Sequence, residues 1–138
     1  MKHPVPLDNL ELLSRALDWS REGRRVALAT VISTWGSAPR PVGSMLVADG
    51  DCRILGSVSG GCVEGAVVQE ALGVMDTQQP RSLEYGVSNE QAWEVGLACG
   101  GSIRIYVEPV DETKLRLFEA LLQLKQEQRA AVLITRLE

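Results

Sequence analysis

The chain has 138 residues, of which 45% are hydrophobic and 23% are charged, and its formal net charge is −4 at pH 7. This composition excludes an extensively disordered chain and favours one compact globular domain with a sizeable core. The acidic balance disfavours nucleic acid as a partner, because contacts to a phosphate backbone generally need a basic excess.

The termini and the cysteines bear on location and redox chemistry. The first eight residues lack the apolar core of a signal peptide, and no apolar run approaches the length of a membrane span. We therefore expect a cytoplasmic protein with no membrane partner. Cys52, Cys62 and Cys99 form no CxxC pair, and their odd number favours free thiols. The single histidine, His3, lies near the N-terminus, which disfavours Cys-His nucleophilic sites and Cys/His zinc sites.

The first half of the chain predicts one helix and three strands. Asp8 and Glu11 resemble a capping box, and leucines at helical spacing predict a helix from about residue 9 to 22 that ends at Gly23. Residues 26–32 are apolar on both alternating faces, as in a central strand buried on both sides. Residues 44–48 and 53–58 are strand candidates joined by a hairpin turn at 49–51.

The second half predicts two helices and two strands. Val63, Val67, Ala71 and Met75 follow one another at i, i+4 spacing, so a helix begins close to Cys62. Residues 102–108 alternate like a strand with one buried face, a helix follows residue 111, and residues 130–135 predict a closing strand. The order of elements predicts a single α/β or α+β domain with a mixed sheet flanked by about three helices.

Glycine is concentrated in three segments, residues 34–43, 56–62 and 96–101, each beside a predicted strand. Glycines allow sharp turns and bring main-chain N–H groups close to a ligand, and the N–H groups at a helix start favour an anion. The plainer alternative is that Gly60 and Gly61 only form a strand-to-helix turn. Neither GxxxxGK[ST] nor GxGxxG occurs, so neither common nucleotide motif applies.

Cys62 directly follows the pair Gly60-Gly61 at the predicted helix start. A thiolate there gains from the helix dipole and nearby N–H donors, which favours a nucleophile or a soft-metal ligand. A small buried cysteine at a tight junction is the alternative. Cys99 carries the same ambiguity, whereas Cys52 beside the hairpin turn is better explained as structural or incidental.

Several other side chains remain open between structural and binding roles. Arg40, between two prolines, is able to reach a phosphate or carboxylate, although solvated surface charge is the commoner role. Glu64 is able to compensate the helix N-terminus or to act as an acid/base group, and the former is more common. Trp35 and Trp93 are either core residues or stacking platforms for a flat ring.

The three glycine-rich segments together resemble a known family. Residues 29–43 (ATVISTWGSAPRPVG), 56–64 (GSVSGGCVE) and 96–101 (GLACGG) are similar to the N-terminal domain of the XdhC/CoxI family. The resemblance runs from the first helix to about Pro109. It implies an accessory factor that binds molybdenum cofactor, protects it during sulfuration and passes it to an apo-enzyme of the xanthine dehydrogenase or carbon monoxide dehydrogenase type.

The resemblance also implies site residues and partners. Cys62 matches the Gly-Gly-Cys motif implicated in cofactor binding and is the candidate ligand to molybdenum, while catalytic residues stay unknown. The candidate cofactor-binding residues, from motif and chemistry together, are Cys62, Gly60, Gly61, Ser59, Arg40, Cys99, Gly100 and Gly101. The expected partners are a molybdenum hydroxylase apo-enzyme and a sulfur-donating desulfurase. Many family members add a C-terminal Rossmann-like domain, and the chain ends where that domain would begin.

Two alternative functions and two structural expectations complete the sequence interpretation. The chain could be a small thiol-dependent transferase acting on a phosphorylated metabolite, although no histidine in the folded body is at hand to activate a thiol. It could also be a regulatory subunit that binds no small molecule. We expect segments 56–62 and 96–101 to lie on one side of the sheet. The apolar residues 130–135 and an open strand edge favour a homodimer or pairing with a larger partner.

Overall fold

A computed structural model describes residues 8–36, 40–61, 63–86 and 101–137 of the chain. These residues form one sheet with helices on both faces, so the predicted α/β class and the expected three helices are confirmed. The elements in chain order are α1 (Asn9–Arg21), β1 (Val26–Trp35), β2 (Met45–Asp49), β3 (Ile54–Gly56), α2 (Glu64–Thr77), β4 (Arg81–Gly86), β5 (Ser102–Pro109) and α3 (Glu112–Gln126).

The five described strands are arranged in the order β3-β2-β1-β5-β4. Every pairing between them is antiparallel, where a mixture of parallel and antiparallel pairs was expected. The reason lies in the path of α2, which carries the chain from one edge strand, β3, to the other, β4. The strands on either side of this helix run in the same direction, but they are not neighbours.

The central strand β1 is buried on both faces, as its composition predicts. Ala27 and Ala29 belong to a core cluster with Val67 and Ala71 of α2. Leu28, on the opposite face, belongs to a second cluster with residues from α1 and α3. Because successive strand residues point to opposite faces, one short apolar segment supports both layers of helices.

The predicted helix caps are present. The Asp8 side chain accepts a hydrogen bond from the Glu11 N–H at 2.8 Å, and α1 ends at Arg21, one residue earlier than expected. Asp111 plays the same part for α3, accepting from the Lys114 N–H at 2.9 Å. These bonds satisfy N–H groups that a helix start leaves without an intrahelical acceptor.

Two sequence expectations differ from the structure. Strand β4 was not predicted, although Leu83 and Tyr85 pack into the core while Ser82 and Glu84 face solvent. The strand predicted at 130–135 is wrong, because these residues adopt no regular structure.

The C-terminal segment does not extend the sheet, and among its apolar residues only Leu133 is half-buried. Leu133 and Leu137 line a cavity of about 530 Å³ that Leu28 and Phe118 also line. Val132 and Ile134 are each 85% exposed. An apolar run therefore predicts burial of some of its side chains without fixing the backbone as a strand.

Candidate functional site

The glycine-rich segments meet the sheet at one end. Trp35 at the end of β1 lies opposite Ser102, and Ser102 in turn lies opposite Gly86 at the end of β4. Gly56 at the end of β3 lies opposite Leu46 near the start of β2. Strands β1, β3 and β4 all run toward this end, so the chain leaves the sheet there three times.

The described flanks of segments 56–62 and 96–101 lie at the same end of the sheet, and the expectation that the two segments share one side of it stays a prediction. Cys62, Cys99 and Gly100 themselves lie outside the described residues. A pocket shared by the two cysteines accordingly stays a prediction.

The turn that follows β3 is built around the carboxylate of Glu64, the first residue of α2. Oε2 of Glu64 accepts hydrogen bonds from the Ser57 hydroxyl at 2.8 Å and from the N–H groups of Val58 and Ser59, each at 3.0 Å. Oε1 accepts from the Gly61 N–H at 3.0 Å and from the Ser59 hydroxyl. Five donors thus converge on one side chain that is only 9% exposed.

The two serine hydroxyls extend this network. The Ser57 Oγ accepts a hydrogen bond from the Gly60 N–H at 2.9 Å, and the Ser59 Oγ accepts from the Val63 N–H at 2.8 Å. Each hydroxyl therefore accepts one bond and donates its own proton to the Glu64 carboxylate. Such chains polarise one another, so the bonds strengthen in sequence. We call residues 57–61 and Glu64 together the carboxylate turn.

Every described main-chain N–H from residue 57 to 63 has an acceptor within the protein. The Ser57 N–H donates to the Met45 carbonyl oxygen at 3.0 Å, which ties the turn to the start of β2. The remaining N–H groups donate to the network just described. The carboxylate of Glu64 thus takes the place that an anionic ligand was expected to occupy.

Glu64 is ionised in this setting. Burial alone would raise its pKa, but the hydrogen bonds from Ser59 and Ser57 and from the N–H groups of Ser59 and Val58 outweigh burial. The pKa falls from 4.5 to about 2 as a result. The start of α2 adds a favourable dipole for the negative charge.

Glycine is required at the entry to the turn. Gly56 has φ +83°, and a Cβ there would lie 2.3 Å from the Met45 carbonyl oxygen. Gly60 and Gly61 also have positive φ, +68° and +107°. In these residues conformational freedom lets the chain fold back onto Glu64.

A second loop reaches the same region. Gly43 donates its N–H to the Val31 carbonyl at 2.8 Å, and Ser44 donates to the Pro41 carbonyl at 3.1 Å. Arg40 at its base is half-buried, and its Nε is buried without a hydrogen-bond partner among the described residues. A buried guanidinium N–H that lacks an acceptor is suited to a ligand anion.

The other residues considered in the sequence differ in their exposure, and Cys52 lies at the opposite end of the sheet, between β2 and β3. Ser59 is fully buried and Gly101 is buried, whereas Gly60 and Gly61 are exposed. Trp35 is 72% exposed, which excludes a core role and leaves the stacking role open. Cys52 is exposed in the hairpin turn at φ +64°, in keeping with an incidental role.

The sequence interpretation missed the part that Glu64 plays. It left this residue between compensation of the helix N-terminus, the commoner role, and an acid/base role, and did not place it among the site residues. The available signal was the pair of serines at 57 and 59 ahead of a glutamate, since serine hydroxyls and turn N–H groups together supply donors for a carboxylate. Among the described residues, no three His, Cys, Asp or Glu side chains are grouped closely enough to hold a metal ion.

Comparison with known proteins finds relatives over most of this chain. Over 127 residues the chain is 35% identical to the molybdenum cofactor insertion chaperone PaoD of Escherichia coli (strain K12), a match that covers 91% of this chain and 38% of that protein. It is 28% identical to a probable xanthine dehydrogenase subunit from Bacillus subtilis (strain 168), over 80% of this chain and 34% of that protein.

The fold has a counterpart among solved structures. A crystal structure of a xanthine dehydrogenase from Bacillus halodurans superimposes with a TM-score of 0.73 at 29% identity, covering 85% of this chain and 34% of that one. Residues 19–86 match the model of the XdhC and CoxI family, and the chain belongs to that family. It spans little more than a third of the length of the two curated relatives.

None of the helices within residues 8–36, 40–61, 63–86 and 101–137 is long and apolar enough to cross a membrane.

Proposed function

We propose that this chain binds molybdenum cofactor at the carboxylate turn and delivers it to a molybdenum hydroxylase of the xanthine dehydrogenase or carbon monoxide dehydrogenase type. The observation that carries the proposal is the carboxylate turn itself, a rigid loop that flanks Cys62 on both sides. The relatives named as a cofactor insertion chaperone and as part of a xanthine dehydrogenase support the same role.

Cys62 is the proposed contact to the cofactor's molybdenum or sulfur. Its chain neighbours are Gly61, which is exposed, and Val63, which is 1% exposed and belongs to the core cluster beneath α2. The N–H groups of both neighbours donate to the network around Glu64, which holds the described backbone on either side of Cys62. Thiolate is a suitable ligand for a soft metal centre, and a resident metal is not required for this function.

The phosphate of the cofactor needs donors other than the N–H groups of the carboxylate turn, because those groups already donate within the protein. Arg40 fits this need through its buried, unpartnered Nε. Gly60, Gly61 and Ser59 then contribute by shaping the turn. We propose that Cys99, Gly100 and Gly101 supply the second wall of the site, since Gly101 directly precedes β5 at the same end of the sheet.

The proposed partners follow from this role. The chain would receive sulfur for its cargo from a desulfurase and would dock on an apo-hydroxylase in the cytoplasm. Self-association as a homodimer would cover Val132 and Ile134, which are both 85% exposed.

Co-elution tests the proposal. The purified chain is incubated anaerobically with molybdenum cofactor, passed through gel filtration, and then mixed with apo-hydroxylase. We expect pterin and molybdenum to elute with the protein and hydroxylase activity to appear after mixing. Cofactor that elutes entirely apart from the protein would contradict the proposal.

A further inference from the structure

We propose that Glu64 is the positioning residue of this site and that its carboxylate fixes the backbone on either side of residue 62, at Gly61 and Val63. The inference deepens the proposed function. The importance of Glu64 for cofactor binding rests on that proposed function. The structural part of the inference is independent of any cofactor. The inference follows from the direction of the hydrogen bonds around Glu64, from the anchoring on both sides of residue 62, and from a contrast with α3.

The groups that face the Glu64 carboxylate are all donors. Two hydroxyls and three main-chain N–H groups supply the five bonds, and the three N–H groups are able only to donate. A carboxylate offers only acceptors and satisfies this set. An amide at the same place would turn an NH₂ group toward N–H donors and leave them unpaired.

The network reaches both neighbours of residue 62. The Gly61 N–H donates to Glu64 Oε1 at 3.0 Å, and the Val63 N–H donates to the Ser59 hydroxyl, which in turn donates to the same carboxylate oxygen. One side chain therefore restrains two peptide groups on either side of residue 62, the one between residues 60 and 61 and the one that ends at the Val63 N–H. Both restraints depend on the acceptor oxygen Oε1, so loss of that acceptor would release them together.

The first residue of α3 shows that a glutamate at a helix start in this protein does not always bind the preceding turn. Glu112 occupies the same helical position as Glu64, but its side chain is 74% exposed and pairs with Arg116 at 3.6 Å. The residue before it, Asp111, supplies the cap of α3. The residue before α2 is Val63, whose apolar side chain cannot cap a helix. Glu64 instead reaches back to the turn, away from its own helix.

Thiol alkylation in the absence of cofactor tests the inference. The folded wild-type chain, Glu64→Gln and the matched control Glu112→Gln are treated with iodoacetamide at one pH, and mass spectrometry follows Cys62 and Cys52 separately. Cys52 serves as the reference within each molecule because it is an exposed free thiol. Peptic peptides that span 58–61 are followed in parallel by hydrogen–deuterium exchange.

We expect the ratio of Cys62 to Cys52 alkylation to rise by at least about fivefold in Glu64→Gln, since both a released turn and a lost negative charge favour the thiolate reaction. Exchange in 58–61 should accelerate in the same variant. Glu112→Gln should leave both readouts within about twofold of wild type. A folded Glu64→Gln protein with a wild-type ratio would overturn the inference.

Two further measurements keep the test decisive. If Glu64→Gln does not fold, Ser57→Ala removes one donor and the Gly60 acceptor, and an unchanged alkylation ratio in that variant would overturn the inference. Cofactor retention is then measured on the same proteins. A raised ratio with undiminished retention would uphold the positioning role of Glu64 and contradict the proposed role of Cys62.

Discussion

Gly56 and Met45 approach so closely that a Cβ on Gly56 would lie 2.3 Å from the Met45 carbonyl oxygen. The same carbonyl accepts the Ser57 N–H at 3.0 Å, so this contact sets the point at which the chain leaves β3 for the carboxylate turn. The positive φ of Gly56, +83°, adds a backbone penalty for any other residue. We predict that Gly56→Ala lowers the free energy of unfolding by about 2–4 kcal/mol.

Gly65 provides the matched control for this substitution. It lies in the first turn of α2, and a Cβ there would meet nothing within 4 Å. Gly65→Ala should raise the free energy of unfolding by about 0.5–1 kcal/mol, because alanine loses less backbone entropy in a helix. Urea unfolding of both variants checks the pair, and equal effects of the two alanines would contradict the packing described at Gly56.

Glu64 should make the free energy of unfolding depend on pH in the acidic range. Its pKa is about 2 in the folded chain and 4.5 ordinarily, so the unfolded chain takes up its proton first as the pH falls. The contribution of Glu64 is therefore complete above about pH 4.5 and is lost between there and pH 2. We predict that Glu64→Gln costs on the order of 3 kcal/mol at pH 7 and progressively less below pH 4.5. Unfolding curves at pH 7, 4.5 and 3 measure this, and a cost that does not change with pH would refute it.

Glu108 should give the stability of the fold the opposite dependence on pH. Burial raises its pKa, and Lys114, whose Nζ lies 3.5 Å away, offsets only part of that effect, while Asp111 adds to it. The folded chain then holds this proton to higher pH than the unfolded chain, so stability falls as the pH rises above 4.5. Glu108→Gln should remove this fall. Thermal denaturation of the wild-type chain and of Glu108→Gln from pH 4.5 to 8 gives the change of melting temperature with pH for each protein. An identical change in both would show that Glu108 does not contribute to the pH dependence of stability.

Local patterns predict the elements near the site better than they predict its chemistry. The Asp8 cap, the hairpin at 49–51 and the two-sided burial of β1 all follow from neighbouring residues, because each depends on short-range geometry. The antiparallel arrangement of the strands does not follow from neighbouring residues, since it depends on where α2 crosses the sheet. The part played by Glu64 was also missed, because a glutamate at a helix start is usually solvated and only the folded turn brings five donors to it.

The exposed C-terminal side chains give a prediction about assembly. Val132 and Ile134 are each 85% exposed, and burial of such residues in a homodimer would be favourable. We expect the chain to self-associate and expect the double substitution Val132→Ser, Ile134→Ser to weaken association without lowering the melting temperature of the monomer by more than about 2 °C. Sedimentation velocity over a concentration series checks this. A wild-type chain that stays monomeric at high concentration would contradict the dimer.

Cofactor retention by cysteine variants tests the central claim most directly. Cys62→Ser keeps the approximate size of the side chain but replaces a thiol with a hydroxyl that stays protonated near neutral pH, so soft coordination is lost. Cys52→Ser makes the same chemical change in the exposed hairpin turn. After circular dichroism confirms that both variants are folded, each is loaded with molybdenum cofactor and its bound pterin and molybdenum are quantified after gel filtration. The account predicts that Cys62→Ser loses most of the bound cofactor while Cys52→Ser retains it, and equal retention by the two variants would contradict it.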